Sequence, residues 1–265
     1  MPRYFIEVSY KGTRYSGFQV QQNANTIQSE LEKALEIFFR KIFTLTGSSR
    51  TDAGVHALQN YFHFDSHEEL FNSPDNNFEN KKTFKRALYS LNSILPEDIV
   101  IHKIEKVNDS AHSRYDAVSR QYKYQIYQSK NPFHKDIAYY YPYSIDIRKL
   151  QAAAEIIVNT SDFTSFSKRK TQVNNFICSI HKSDWIIEND LIIYSVVGNR
   201  FLRGMVRGLV GTMLQAATGK ISLQQLNEII ESKDCARADF SVPPQGLFLV
   251  AIMYPYNVLN FFNPS

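Results

Sequence analysis

Twice along this chain the spacing of apolar residues switches from alternation, as in a strand, to a repeat of roughly 3.6, as in a helix, and back again. Between Arg3 and Tyr10, Tyr4, Ile6, Val8 and Tyr10 alternate with Phe5, Glu7 and Ser9. Ile27, Leu31, Ala34, Leu35 and Phe38 then recur at helical spacing, behind an Asn25–Gln28 pair that resembles a capping box. A second strand is expected from Val55 to Phe64 and a third from Ile99 to Val107. Between these two strands lie a loop from Ser66 to Lys82 and a helix carrying Phe84, Ala87, Leu88 and Leu91. The order then recurs loosely. Gln121–Tyr127 alternates, and Asp146 can cap a helix with Ile147, Leu150, Ala154 and Ile157. Ile177–Ile187 and Leu191–Val197 read as a hairpin about residues 188–190. Leu202 to Ala217 is the longest apolar stripe, Ser222 and Gln225 cap a short helix, and Leu247–Tyr254 closes with a strand.

Two such sets predict an α+β protein of two similar halves, 1–110 and 111–265, with a soft boundary near Asn108–Ser113. The halves are expected to form a central, mainly antiparallel sheet with a ligand cleft between them. A length of 265 residues with 43% hydrophobic and 21% charged residues supplies an ordinary core and excludes a disordered or low-complexity chain. Two cysteines, Cys178 and Cys235, make no disulfide framework and are expected as buried thiols in a reducing compartment. The opening MPRYFIEVSY lacks the pattern of a signal peptide, and no apolar run approaches the roughly 20 residues of a membrane span. A soluble, cytoplasmic protein is the expectation.

The net charge of +4 is too small to demand a polyanionic partner, but its distribution is suggestive. Basic residues cluster with aromatics and amides in Lys81–Arg86, Arg114–Lys123, Lys168-Arg169-Lys170 and Arg200–Arg207. Such clusters can track phosphates, which makes Arg114, Arg203, Lys168, Arg169 and Lys170 candidates for phosphate contacts; a solvated surface is the alternative. Arg200, Arg203 and Arg207 are read as one basic stripe on the helix that carries the apolar stripe.

Gly47-Ser48-Ser49-Arg50-Thr51-Asp52-Ala53-Gly54-Val55-His56 puts a carboxylate and a guanidinium in a loop between a helix and a strand. An ionised, positioned carboxylate can serve as nucleophile or base; an Asp that merely orders a turn is the alternative. His63 and His67 do not converge on a strand, which argues against a metal site, and Asp65 has no context that would pair it with Asp52 as in a glycosidase. Gly204, Gly208 and Gly211 lie in an apolar helix and suggest close packing rather than a nucleotide loop.

SSRTDAGVHA resembles the catalytic loop of the tRNA pseudouridine synthase A family, whose signature is G-R-T-D-A-G-V-H. YKGTRYSGFQVQ, SRYDAVSRQYKYQIY, NRFLRGMVRGLVG and GLFLVAIMYP resemble further family segments, so the likeness runs in order from Tyr4 to Pro255. It implies isomerisation of uridines 38, 39 and 40 in the anticodon arm of tRNA, without cofactor or metal, by a homodimer. Asp52 falls on the catalytic aspartate and Arg50 on the arginine two positions before it. Tyr122 falls on the tyrosine that stacks on the target base, Arg207 on the basic partner of the carboxylate, and Leu247 on an apolar pocket residue. If Asp52 and Arg207 come from different halves, their pairing would set the site in the cleft. Two residues depart from the pattern: Ser49 replaces a glycine that could supply positive φ or close approach of RNA, and Phe18 replaces a common tryptophan.

Overall fold

The computed structural model describes residues 1–70, 78–169 and 173–259. Among them are five α-helices and nine strands, mixed but mostly antiparallel in their pairing, so the α+β expectation holds. The chain divides into two compact units. Unit 1 is Met1–Val118 together with the stretch from Ala251 onward, and unit 2 is Ser119–Val250.

Unit 1 runs β1 (Arg3–Tyr10), α1 (Ile27–Phe39), β2 (Thr46–Gly47), β3 (His56–Asp65), α2 (Phe78–Ile94) and β4 (Ile99–Val107). β1 lies antiparallel between β3 and β4, with Ile6 opposite Phe62 on one side and Ile104 on the other. β2 pairs with β3. β3 carries one more residue than β1 between the pairs Val8–Asn60 and Tyr10–Ala57, a bulge just after the start of the strand.

The α1 cap is not the expected Asn25–Gln28 pair. Thr26 and Ser29 form the reciprocal box instead, each side chain bonded to the other's backbone N–H. Gln28 is spent elsewhere: its amide donates to the Leu45 carbonyl, while Glu32 accepts from the Leu45 N–H. These bonds hold the helix to the lead-in of β2. α2 begins at Phe78 rather than after Lys82; after Phe78 its opening residues, Glu79-Asn80-Lys81-Lys82, are polar, so no apolar period marks this start in the sequence. Residues 71–77 of the expected loop lie outside the described residues.

Unit 2 runs β5 (Ser119–Tyr127), β6 (Tyr139–Tyr140), α3 (Ile147–Val158), β7 (Ile180–Glu188), β8 (Leu191–Gly198), α4 (Met205–Ala217) and α5 (Leu223–Glu231). β8 is antiparallel to both β5 and β7, and β6 is parallel to β5. The β7–β8 hairpin turns where expected, with Asn189 at φ 54°. Tyr194 sits opposite Tyr124 on one side and Trp185 on the other, all three buried. Asp146 caps α3 and the Ser222–Gln225 box caps α5, as their sequences suggest. The last strand, β9 (Leu247–Met253), leaves unit 2 after Val250 and ends in unit 1.

One expectation fails at α4. Its N-cap is Gly204 at φ 73°, a left-handed position that suits glycine, and the helix starts only at Met205. Arg200 and Arg203 therefore precede the helix and form no stripe with Arg207.

Candidate active site

The loop from Gly47 to His56 is short of regular structure, so its backbone groups must find partners elsewhere. Ser48 N–H donates to the Tyr61 carbonyl at 2.8 Å, and Phe18 N–H donates to the Thr51 carbonyl at 3.1 Å. The Asn60 amide reaches the Ser49 carbonyl at 3.1 Å, and the Tyr10 hydroxyl meets Thr51 Oγ1 at 2.8 Å. Val55 N–H closes a turn on the Asp52 carbonyl, and Gly12 N–H donates to Nδ1 of His56.

Two glycines make this approach possible. A Cβ on Gly12 would sit 2.0 Å from the Val55 carbonyl oxygen, and Gly17, at φ 98°, would carry one 3.1 Å from that of Thr51. The segment resembling the family's opening is thus the bracket that holds the loop. Asp52 is half-buried and Arg50 exposed, and the two side chains do not form an ion pair with each other.

Ser49 is buried and is absent from the residues at positive φ, so the exchange from glycine asks for no left-handed backbone here. The hydroxyls of Ser48 and Ser49 are buried with no hydrogen-bond partner. Phe18 is a core residue. Its ring stacks on Phe62 at 4.5 Å and occupies the space a Gly47 side chain would need.

In unit 2, Tyr122 is half-buried on β5, with its ring 4.9 Å from Phe201 in an edge-on arrangement. Arg207 lies in the first turn of α4. Its Nε donates to the Val242 carbonyl at 2.8 Å and Nη2 to that of Phe240 at 3.5 Å, which leaves further guanidinium donors for other acceptors. Its charge also acts on Tyr124, whose phenol burial pushes well above the usual range while Arg207 opposes the shift. Tyr124 donates to the Pro243 carbonyl at 2.7 Å, and Gly246 packs against the Tyr124 ring. Leu247, buried, follows directly at the start of β9.

Residues 239–247 are therefore strapped to α4 and β5 together. Gly208 and Gly211 explain the closeness, since Cβ atoms there would lie 2.7 Å from the Phe240 ring and 2.2 Å from the Asp239 carbonyl oxygen. The close-packing expectation holds for these two, whereas Gly204 serves as the cap.

The basic candidates separate. Lys168 lays its stem against Gly204, places Nζ 5.9 Å from the Phe240 ring and donates its backbone N–H to the carbonyl of exposed Arg203. Arg169 turns toward Asp234, 3.7 Å away, beside the Cys235 thiol. Arg114 stands over Tyr115, with its backbone N–H on Nδ1 of His112. Lys170 lies outside the described residues. Of the cysteines, Cys178 is buried, with its thiol pushed up to about 11 by burial, but Cys235 is only half-buried, which corrects the expectation of two buried thiols. Among the described residues no cluster of three His, Cys, Asp or Glu is placed to hold a metal ion, and no helix is long and apolar enough to cross a membrane.

The sequence reading missed the supports of the loop: Tyr10, Gly12, Gly17, His56 and Asn60. Asn60 carried a signal, an amide at the alternate positions of the strand that Leu58, Phe62 and Phe64 also occupy.

The family model described as tRNA pseudouridine synthase matches residues 6–116 and 153–255. Over 255 residues the chain is 39% identical to tRNA pseudouridine synthase A of Parabacteroides distasonis, covering 96% of this chain and 97% of that protein. It is 40% identical to the protein of the same name from Azobacteroides pseudotrichonymphae, over 96% of this chain and 98% of the other. With the Geobacillus protein of that name it shares 39% identity, over 93% and 96% of the two chains.

Proposed function

This chain belongs to the tRNA pseudouridine synthase A family and is an isomerase, and from that premise we propose that it converts uridines 38, 39 and 40 of the tRNA anticodon arm to pseudouridine with Asp52 as the catalytic carboxylate. The observation that carries the reading is a half-exposed aspartate on a loop whose backbone is bonded on both sides of it. A carboxylate so held keeps its place while the base turns, and preorganisation of this kind needs no rearrangement at the moment of reaction.

The reaction breaks the bond from N1 to the ribose C1′, turns the uracil and joins C5 to the same carbon. C5 gives up its proton and N1 gains one. Atoms and electrons balance within the substrate, so the chemistry itself requires neither redox cofactor nor metal. Asp52 acts either as nucleophile or as base on the ribose. Tyr122 offers an aromatic face for a base taken out of its stack, and Leu247 an apolar contact. Arg207 is assigned the role of orienting the carboxylate; donors left over from its carbonyl bonds support this role. Arg50, exposed on the same loop, is assigned to the substrate. In this reading residues 1–110 bring the aspartate loop and 111–265 the stacking tyrosine and the arginine. Arg114, Arg203 and the Lys168-Arg169-Lys170 run are assigned to phosphates, and the protein works as a cytoplasmic homodimer.

Release of tritium from tRNA carrying 5-labelled uridine tests the reading. Asp52→Asn is expected to abolish release while tRNA binding stays within about tenfold, or roughly 1.4 kcal/mol. Release by that variant would remove Asp52 from catalysis. Wild-type binding to several tRNAs with no release would instead mark an RNA-binding protein without the chemistry.

A further inference from the structure

Three buried polar residues, Asn60, Tyr10 and Thr51, form a hydrogen-bonded chain behind the Asp52 loop. Asn60 is fully buried, and its Nδ2 lies 3.1 Å from the Ser49 carbonyl and 3.2 Å from the Tyr10 hydroxyl. An amide nitrogen has two hydrogens, and these two acceptors use both. The Asn60 carbonyl oxygen is committed as well, accepting from the Tyr61 N–H at 2.9 Å. The Tyr10 oxygen that accepts from Asn60 also shares a hydrogen bond with Thr51 Oγ1, 2.8 Å away, in which either hydroxyl can donate. Tyr10 and Thr51 are both buried, so water does not compete for these bonds.

The chain fastens the loop at Ser49 and at Thr51, the residues flanking Arg50 and immediately preceding Asp52. Asn60 and Tyr10 come from β3 and β1, Asn60 opposite Val8 and on the face that Tyr10 shares, so the anchor is the sheet itself. We propose that Tyr10 and Asn60 are positioning residues for Asp52, acting through Ser49 and Thr51 to fix the direction in which the carboxylate leaves the loop. The proposal rests on Asp52 being the catalytic group. Both residues are buried behind the loop, so removing the clamp should slow the chemical step and spare tRNA affinity. A carboxylate displaced by about an ångström loses on the order of a hundredfold in rate.

Tyr10→Phe removes only the hydroxyl and keeps the ring. Thr51→Val removes the other partner, and Thr51→Ser restores it. Under single turnover at saturating enzyme, Tyr10→Phe and Thr51→Val should each slow tritium release roughly 10- to 100-fold. Their tRNA Kd should stay within about twofold, and Thr51→Ser should run near the wild-type rate. Both lesions break the Tyr10–Thr51 bond, and Tyr10→Phe also removes the acceptor of Asn60, so the double variant should be no slower than the slower single. Wild-type rates in both single variants would overturn the proposal, as would losses that multiply in the double variant or a Kd that rises as the rate falls. A thermal melt of each variant identifies one that fails to fold, in which case the Thr51→Val and Thr51→Ser pair decides. Asp52→Asn, run alongside, separates the two failures. If it is inert while Tyr10→Phe is fully active, only the clamp is wrong; if it is active, the assignment of Asp52 itself fails.

Discussion

His63 is a histidine that the fold keeps neutral. It is 6% exposed, its Nδ1 meets Ser113 Oγ at 2.8 Å, and its ring lies 4.6 Å from that of His112. Burial, then His112 and Arg3, lower its pKa to about 4, against the opposing pull of Asp65 and Asp116. The unfolded chain takes up this proton near pH 6.5, whereas the folded one resists until about pH 4. Between those values the unfolded state binds more protons, so stability is full above pH 6.5 and falls as the pH drops toward 4. The loss attributable to this residue is on the order of 3 kcal/mol. Urea unfolding at pH 7 and pH 4.5 should therefore show a smaller difference in His63→Gln than in the wild type. Parallel pH profiles would show that His63 is not the titrating group.

Strands and helices were legible where their determinants are local. β4, the β7–β8 turn, Asp146 before α3 and the Ser222–Gln225 box all follow from periodicity or cap chemistry within a few residues. The misplaced α1 cap is different: Gln28 was equally suited to a cap, and its commitment to Leu45 is a tertiary fact. The motif disclosed Asp52 and Arg50 but not what holds them, because Tyr10 and Asn60 reach the loop only after β1 and β3 have paired. Gly211 in α4 shows how tertiary contact reverses a local preference. In an exposed helix Gly→Ala stabilises by about 1 kcal/mol. Here the added Cβ would press on the Asp239 carbonyl oxygen at 2.2 Å, so Gly211→Ala should instead destabilise by roughly 1–3 kcal/mol. The variant should also loosen the strap that supplies Arg207 with its carbonyl acceptors. A raised melting temperature in Gly211→Ala would contradict this close approach.

Across the molecule, 30 basic and 26 acidic side chains leave little net charge, so RNA affinity depends on where unneutralised cations collect. Lys168 and Arg203 come from separate clusters of the sequence and meet through a backbone bond, whereas Arg169 already faces Asp234. If the first two contact phosphates, each alanine substitution should reduce the salt slope of log K for tRNA by roughly 0.7 to 0.9. Arg169→Ala should change it less, and equal effects at all three positions would refute the distinction. Unit 1 is assembled from two distant stretches of chain: Ile252 N–H donates to the Gln59 side chain, and Tyr254 packs its ring on Phe5 and Tyr61 while its hydroxyl bonds to the Ser113 carbonyl. Unit 2, by contrast, is a continuous stretch lying between them. On the ribosome, where the chain emerges in order, every residue of unit 2 is available before Ile252 and Tyr254 have been made. The earlier stretch of unit 1 must wait, without Tyr254 on Phe5 and Tyr61, until translation has passed through the whole of unit 2. The nascent protein has all of its middle in hand before it can finish its beginning.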